Sequence, residues 1–283
     1  MEDAQIRSFR REVYRYYRAH RRDFPWRRIG SLSRNTLAYR VLISEVMLQQ
    51  TQADRVVPKY RAFIRTFPSF RALSDAPLSE VLRLWQGLGY NRRAKHLKEA
   101  AAIVVRAYRG RLPDDEVALV ALPGIGRYTA GAIRAFAFDA PAVFIETNIR
   151  TVFLHHFFPN RKRVSDRALL PLIEAACDAK RPREWYSALM DYGAELKRAH
   201  GNPGRRSAHH KRQTSFKGSR REVRGAIVRA LALNDALSLP RLLKIVQENI
   251  HARRTPLCIM EECTALENEG LIMRKKGVHR LAP

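Results

Sequence analysis

Two carboxyl groups stand in sequence contexts that favour proton transfer and charge stabilisation. Glu45 is the lone carboxyl group in the apolar helical stripe Val41–Gln52. Burial disfavours the charged form of a carboxyl group, so we expect a raised pKa that lets Glu45 act as an acid. Glu146 follows the apolar run 142–145, and Asn148 lies two residues beyond it. Two carboxyl groups in different environments can divide acid and electrostatic roles, although an ion pair with a nearby arginine would explain either residue equally well.

A glycine-flanked turn precedes a predicted helix downstream of Glu45. The segment that begins at Leu122 reads Leu-Pro-Gly-Ile-Gly-Arg-Tyr-Thr, and its two glycines, Gly124 and Gly126, permit a tight turn. Backbone amides at such a helix start are orphan donors in a positive field, so the segment predicts a phosphate clamp that includes Arg127 and Thr129. An ordinary Pro-Gly turn between two core helices would contain the same residues.

The charge balance favours a polyanionic partner. The 283 residues include 53 lysines and arginines against 27 aspartates and glutamates, which gives a formal net charge of +26. Counterion release would favour binding to nucleic acid, although an anionic membrane surface or a merely basic soluble protein would also fit. No apolar run approaches the roughly 18 residues of a membrane span, and no secretory signal is evident. We therefore expect a soluble, cytoplasmic protein associated with the nucleoid.

The cysteines predict neither disulfides nor a metal site. The chain has three of them, Cys177, Cys258 and Cys263, which are too few and too scattered for a disulfide framework or a four-thiolate cluster. Cys258 and Cys263 have no second pair of ligands, so no zinc site is evident. Reduced core thiols are the expected state of all three.

Helical periodicity dominates the segments that must position these residues. One apolar stripe falls at i, i+3, i+4 and i+7 and consists of Leu78, Val81, Leu82 and Trp85. Similar stripes occur in four further segments, 41–52, 94–108, 148–158 and 167–179. No alternating strand pattern occurs before residue 270. The sequence therefore predicts an all-α protein up to that point.

A basic, acid-free segment predicts a domain boundary. No acidic residue occurs between Glu195 and Glu222, and we interpret 201–221 as a basic linker that either lies on a phosphate backbone or is simply solvated. Beyond it, three helical segments precede two short strands, Leu271–Met273 and His279–Leu281. Residues 222–283 therefore resemble a winged helix-turn-helix with a small β-hairpin, a module that binds DNA or protein.

Five segments together resemble one enzyme family. They occur in the order and spacing of the helix-hairpin-helix DNA glycosylases, most like the MutY-type adenine DNA glycosylases: Phe24–Arg27, Ser44–Gln52, Leu84–Tyr90, Leu122–Ile133 and Glu146–Asn148. The resemblance implies a two-lobed helical core, with residues 29–139 as a six-helix lobe that carries the hairpin. Residues 1–28 and 140–200 would form the second lobe. The implied activity is monofunctional hydrolysis of the N-glycosidic bond of a flipped base in duplex DNA, with adenine as the first candidate.

The same resemblance implies roles for the site residues. Glu45 falls on the family's general acid, and Glu146 falls on the aspartate that stabilises the oxocarbenium-like sugar. Asn148 would orient a catalytic carboxylate. Tyr128 stands where bifunctional relatives carry a Schiff-base lysine, so we expect no intrinsic lyase activity.

Further positions are implied to contact the DNA or the extruded base. The residues expected to fill the vacated stack or bind the strand are Gln49, Gln50, Leu88 and Tyr90. Trp26 and Arg27 would line the base pocket. Tyr90 and Trp26 are also plausible core residues. We expect no cofactor and no iron-sulfur cluster, although the hairpin of this family can hold a monovalent cation.

Three departures from the family pattern limit what the resemblance implies, and the third leaves the specificity for the opposite base open. Glu146 is one methylene longer than the family's aspartate, which could displace its carboxylate by more than about 1 Å. The four cysteines that hold an iron-sulfur cluster in many relatives do not occur in 198–221. The predicted winged helix stands in place of the domain that recognises oxidised guanine. Excision of hypoxanthine, uracil, thymine or a modified base, and non-catalytic binding to lesion DNA, are the alternatives.

Overall fold

The computed structural model describes residues 3–210, 214–251 and 254–283, so Lys211 and Arg212 of the predicted linker lie outside the described residues. This part of the chain is mostly helical. Its α-helices, numbered α1 to α14 in chain order, are Asp3–His20, Arg34–Leu48, Ala53–Thr66, Phe70–Asp75, Leu78–Trp85, Arg92–Ala107, Glu116–Val120, Arg127–Phe138, Thr147–Phe157, Asp166–Ala176, Pro182–Ala199, Arg220–Leu233, Leu239–Glu248 and Pro256–Asn268. Its strands β1 to β3 are Leu237–Ser238, Ile272–Lys275 and Val278–Leu281.

The contacts divide the chain into two compact units. Unit 1 comprises residues 1–45, 113–121 and 125–212, and unit 2 comprises residues 46–112, 122–124 and 213–283. This division differs from the predicted lobes because α8 packs against α11, and α12 packs against α5. Residues 125–138 therefore group with the second predicted lobe, and the C-terminal residues group with 46–112. The predicted lobe boundaries stay a prediction.

Unit 1 is built around an aromatic core between α1, α9 and α11. Trp185 of α11 is fully buried and meets the Phe9 ring at 5.9 Å and the Tyr14 ring at 5.4 Å, measured between centroids. α11 lies against α9 at a glycine, since a Cβ on Gly193 would stand 2.4 Å from the Asn148 carbonyl oxygen. The first turn of α9, which carries Asn148, therefore packs directly on α11.

The first part of the predicted linker is packed structure in unit 1. Pro203–Arg206 forms a short 3₁₀ helix that lies against α9, with Pro203 and Gly204 buried. Arg206 donates to the Leu154 carbonyl at 3.1 Å, and the Val164 amide donates to the Arg206 carbonyl at 3.0 Å. Hydrogen bonds to backbone thus hold this segment where a linker was expected.

Unit 2 contains α3 to α6, on which a C-terminal module packs through α12 and β3. The module holds α12, α13 and α14 and an antiparallel sheet of order β1-β3-β2, in agreement with the predicted winged-helix class. The hairpin turns at Lys276 and Gly277, both with positive φ, which suits a two-residue turn. Strand β1 precedes residue 270, but it is only two residues long and forms no alternating run, so the sequence pattern did not indicate it.

The helix that carries Glu45 ends earlier than its apolar stripe. The stripe predicted a helix to Gln52, but α2 ends at Leu48 and Gln50 has φ of +55°. The Arg93 guanidinium accounts for the difference, because it donates to the carbonyls of Val46, Met47 and Gln49 at 2.8, 3.0 and 2.7 Å. Gln49 and Gln50 therefore lie in a turn.

Candidate active site

Glu45 is a buried carboxyl group with one hydroxyl donor. Glu45 is 7% exposed. The hydroxyl of Tyr128, at the start of α8, donates to Glu45 Oε2 at 3.2 Å. The pKa of Glu45 is raised to about 7: burial is the largest cause, the Tyr128 hydrogen bond and Arg27 oppose it, and the Glu146 charge adds to it. The raised pKa predicted from the apolar stripe is confirmed. The group is therefore poised to hold or release a proton near neutral pH.

Tyr128 stays a neutral hydroxyl that feels the charge of both carboxyl groups. Burial is the largest cause of a pKa well above 10, and the charges of Glu45 and Glu146 raise it further. Its ring also packs on Phe144, at 5.8 Å between centroids. A tyrosine in this environment donates a hydrogen bond but supplies no nucleophilic amine.

Glu146 is the N-cap residue of α9. Its carboxylate accepts a hydrogen bond from the backbone amide of Asn148, so it sits at the positive end of the helix dipole. The Asn148 side chain makes other contacts: its Oδ1 accepts from Lys197 Nζ at 2.7 Å, and its Nδ2 lies 3.7 Å from Met190 Sδ. Asn148 thus orients Glu146 through backbone rather than through its amide group.

Lys197 adds a cation beside this pair. Burial is the largest cause of its lowered pKa, which the charge of Glu146 opposes. The Lys197 ammonium and the α9 N-terminus therefore both place positive charge near the Glu146 carboxylate. The two carboxyl groups consequently occupy opposite environments: one is apolar and the other is rich in donors and positive charge.

A buried aspartate holds the predicted pocket segment in unit 1. The Asp191 side chain is 1% exposed and accepts from Arg27 Nη1 and Arg22 Nε, both at 2.7 Å. Both guanidinium groups also lie over the Phe24 ring: Arg22 Cζ is 5.0 Å and Arg27 Cζ is 5.2 Å from the ring centroid. Trp26 stacks on Phe24 at 4.9 Å with an interplanar angle of 12°. The segment that carries Trp26 and Arg27 is therefore rigidly attached to α11.

The predicted glycine turn leads into a helix as expected, and the phosphate clamp itself stays a prediction. Gly126 is the N-cap residue of α8, and Ala130 makes the first intrahelical hydrogen bond, to the Gly126 carbonyl at 2.9 Å. Arg127 is exposed, whereas the Thr129 side chain is buried. Gly124 has φ of +76°, and a Cβ there would stand 3.0 Å from the His96 Cβ. Glycine is therefore required at 124 by both conformation and space.

The remaining predicted DNA contacts lie in two turns of unit 2. Arg93 binds both turns, since it also donates to the Leu88 and Gly89 carbonyls at 2.9 and 3.1 Å and to the Thr51 hydroxyl at 3.2 Å. Gln50 and Tyr90 are exposed. Leu88 is 3% exposed, so it packs in the interior and we assign it no contact with DNA.

Sequence reasoning missed four residues that shape these sites. Asp191 carried a signal that was overlooked, a lone carboxyl group within the apolar face of α11, the same signal that singled out Glu45. Arg93, Gly193 and Lys197 had none, because each acts through a tertiary contact. Arg93 reaches residues 44 to 47 positions away, and Lys197 reaches a residue 49 positions away.

The residues after α11 do not fit an iron-sulfur cluster. The segment that follows Lys197 offers arginine, asparagine and histidine in place of thiolates, and Arg206 and Asn202 bond to neighbouring backbone. Within the described residues, no group of three or more His, Cys, Asp or Glu side chains converges as a metal site would require. The absence of a cofactor, and a monovalent cation at the hairpin, both stay predictions.

Comparison with known proteins assigns the family. Residues 43–174 match the HhH-GPD superfamily of base excision DNA repair proteins. The chain is 36% identical over 180 residues to the adenine DNA glycosylase of Buchnera aphidicola subsp. Baizongia pistaciae, covering 63% of this chain and 50% of that protein. The mouse (Mus musculus) adenine DNA glycosylase is 37% identical over 200 residues, which cover 68% of this chain and 39% of that enzyme. The chain thus spans about half or less of the length of these two relatives.

A solved structure agrees with the family match. A thermostable thymine-DNA glycosylase superposes with a TM-score of 0.59 at 30% identity, covering 68% of this chain and 87% of that one. The chain belongs to the HhH-GPD superfamily of base excision DNA repair proteins. In the part that the structure describes, none of the helices is both long and apolar enough to span a bilayer.

Proposed function

We propose that the chain is a DNA glycosylase that hydrolyses the N-glycosidic bond of a base extruded from duplex DNA, with adenine as its first candidate substrate. The observation that carries this proposal is the pair of carboxyl groups in unit 1. Glu45 is buried with a pKa of about 7, and Glu146 is held by the α9 N-terminus. The adenine DNA glycosylases of Buchnera and mouse support the choice of adenine. Because the proposed substrate is chromosomal DNA, we also propose that the protein associates with the nucleoid.

The proposed reaction divides the labour between the two carboxyl groups. Protonated Glu45 donates to N7 of the purine, which turns the base into a neutral leaving group. As the glycosidic bond breaks, positive charge develops on the sugar, and ionised Glu146 stabilises it. Water then adds to C1′ of the sugar and loses a proton, which leaves an abasic site and the free base.

The extra methylene of Glu146 is compatible with this role because the side chain is tied back. As the N-cap residue of α9, it bends toward the Asn148 amide instead of extending fully. Lys197, bonded to the Asn148 side chain, keeps positive charge near the carboxylate. We propose that these two contacts, together with the helix N-terminus, replace the tighter geometry of an aspartate.

Without a nucleophilic amine at Tyr128, we propose that the enzyme stops at the abasic site. Lys197 is an amine beside Asn148, and its Nζ is engaged with Asn148 Oδ1. Borohydride reduction during turnover should therefore trap no protein-DNA adduct. A trapped adduct that disappears in Lys197→Met but persists in Lys180→Met would assign lyase activity to Lys197.

The test of the proposed function is a single-turnover assay on a panel of duplexes. Each duplex carries one adenine, hypoxanthine, uracil or thymine opposite guanine, or adenine opposite oxidised guanine, and hot alkali reveals abasic sites. We expect release of adenine, a loss of at least about 10²-fold in Glu45→Gln, and full activity in the exposed control Glu248→Gln. Equal rates in the two variants would remove Glu45 from the acid role.

One alternative base has specific support. The structural relative described as a thymine-DNA glycosylase makes thymine opposite guanine the second candidate. An acid on the N7 edge favours a purine, since thymine has no N7 to protonate. Release of thymine with no dependence on Glu45 would select this alternative, and release of no base from any duplex would leave a lesion-binding protein.

A further inference from the structure

The Tyr90 side chain contacts two arginines in unit 2. Tyr90 has φ of +49° and is 39% exposed, so a strained turn presents a large aromatic residue at the surface. Arg93 Cζ lies 5.6 Å from the ring centroid and Arg221 Cζ lies 5.9 Å from it. Arg221 Nη1 also donates to the Tyr90 hydroxyl oxygen at 2.9 Å.

Arg221 is itself fixed by the segment that leads into α12. Its Nη2 donates to the Thr214 carbonyl at 2.7 Å and the Thr214 hydroxyl at 3.2 Å, and it lies 3.3 Å from the Ser215 carbonyl. One nitrogen of the guanidinium thus binds the chain at 214–215 while the other binds Tyr90. Lysine cannot bind on both sides in this way, because its single ammonium lacks the planar fork.

The module that carries Arg221 is docked on the helices that flank Tyr90. Arg83 of α5 donates to Asp235 Oδ1 at 3.2 Å and to the Ala232 carbonyl at 3.3 Å. Lys95 of α6 donates to the Glu269 carbonyl, and Arg92 lies 3.8 Å from the Glu269 carboxylate. These contacts lie on the two helices that precede and follow the Tyr90 turn.

The charge of the module argues against a DNA-reading role for its last helix. In a winged helix-turn-helix the helix before the hairpin is the one that enters a groove, and here that helix is α14. α14 contains Glu261, Glu262 and Glu267 and no lysine or arginine. Its Glu262 binds Arg220 and Arg224 of α12. Phosphate repels such a helix, so an intramolecular role fits it better.

We propose that the C-terminal module is a brace for the Tyr90 turn and that Arg221 is a positioning residue for base extrusion. The proposal rests on the proposed function only in giving Tyr90 the task of entering the base stack. Arg221 and Arg93 hold the phenol in place before DNA arrives, so less side-chain and loop freedom is lost when Tyr90 inserts. Extrusion then depends on a residue outside the catalytic core.

The test measures extrusion separately from cleavage. All variants are made in the full chain carrying Glu45→Gln, and the duplex carries 2-aminopurine, a fluorescent adenine analogue, opposite guanine. Fluorescence at saturating protein reports the unstacked fraction, and anisotropy on the same duplex gives the Kd. We expect Arg221→Met to lower the extrusion equilibrium about tenfold, as for a charge-assisted hydrogen bond, with Arg221→Lys giving no rescue.

Three comparisons make the result decisive. Arg229→Met removes an exposed arginine of the same helix and should leave extrusion unchanged, which controls for the loss of one positive charge from the module. Tyr90→Phe removes only the hydroxyl and should reproduce part of the loss, while the double variant should lose no more than Arg221→Met alone. Equal extrusion in Arg221→Met and Arg229→Met, or losses that multiply in the double variant, would overturn the brace. Since extrusion is read without base release, it decides this proposal even if no base is released in the panel assay.

Discussion

At the scale of single residues, Glu45 is buried and titrates near neutral pH. The folded state therefore becomes less stable when this carboxyl group loses its proton. Its pKa is raised from 4.5 to about 7, chiefly by burial, so the folded state binds a proton that the unfolded state releases. Its contribution to stability is therefore full below pH 4.5 and is lost as the pH rises through about 7. The proposed acid role and the instability at high pH share one cause.

This linkage predicts the stability of Glu45→Gln. When the pH is raised from mildly acidic to mildly alkaline, the unfolding free energy of the wild type should fall by up to about 3 kcal/mol more than that of Glu45→Gln. This figure follows from about 1.4 kcal/mol per unit of pKa shift. Urea denaturation at both pH values measures the difference. Glu248→Gln removes an exposed carboxyl group, so its unfolding free energy should change with pH as in the wild type. If the unfolding free energy of Glu45→Gln also changed with pH as in the wild type, the raised pKa of Glu45 would be contradicted.

Tyr128 predicts a shift in the rate profile. Burial is the largest cause of the raised pKa of Glu45, and the Tyr128 hydrogen bond opposes it. In Tyr128→Phe that opposition is lost, so the pKa of Glu45 rises. The single-turnover rate of the wild type should fall as the pH rises through about 7, and the variant should retain its rate to higher pH. A profile displaced toward acid would show that the hydroxyl does not stabilise the carboxylate.

At the scale of elements, the spacing of α9 and α11 sets the geometry around Glu146. Gly193→Ala would place a Cβ 2.4 Å from the Asn148 carbonyl oxygen, so the two helices must separate. We expect a loss of about 1 to 3 kcal/mol of stability, as for other overpacked sites, and a reduced rate of base release because the Asn148 amide moves. Thermal denaturation and single-turnover kinetics measure the two effects.

The chain contains a matched control for this substitution. Gly225 lies within α12, and a Cβ there meets nothing within 4 Å. Gly225→Ala should therefore raise stability by about 0.5 to 1 kcal/mol, because alanine loses less backbone entropy in a helix. If both alanine variants were equally stable, the close approach of α9 and α11 would not be what glycine permits.

The sequence predicted the helices and the candidate carboxyl groups better than it predicted the contacts between distant residues. Glu45 and Glu146 stand out because a carboxyl group amid apolar residues is visible in a short window. Asp191 and Arg27 are 164 positions apart, and their ion pair forms only once α11 lies beside the chain start. Likewise, Arg93 ends α2 early by binding carbonyls 44 to 47 positions away. A local sequence pattern cannot predict a side chain that hydrogen-bonds backbone carbonyls so far away in the sequence.

At the scale of the whole molecule, the positive charge is unevenly distributed along the chain. The formal net charge is +26, yet α14 carries three glutamates with no compensating base in its own span. Glu262 and Glu269 are paired with arginines within unit 2. The most acidic helix of the C-terminal module is thus engaged with arginines of its own unit, and the excess of positive charge lies outside that helix.

That excess charge predicts a steep dependence of DNA affinity on salt. If about six phosphates are neutralised, the logarithm of affinity should fall with the logarithm of salt at a slope near −5, a loss of about 10³ between about 50 and 200 mM. Anisotropy titrations with a duplex carrying a stable abasic-site analogue measure the slope. An undamaged duplex presents the same phosphates, so its slope should be the same while its affinity is lower at every salt concentration. A shallow slope on both duplexes would mean that the basic residues lie away from the DNA, and a steeper slope on the damaged duplex alone would mean that lesion recognition itself recruits further phosphate contacts.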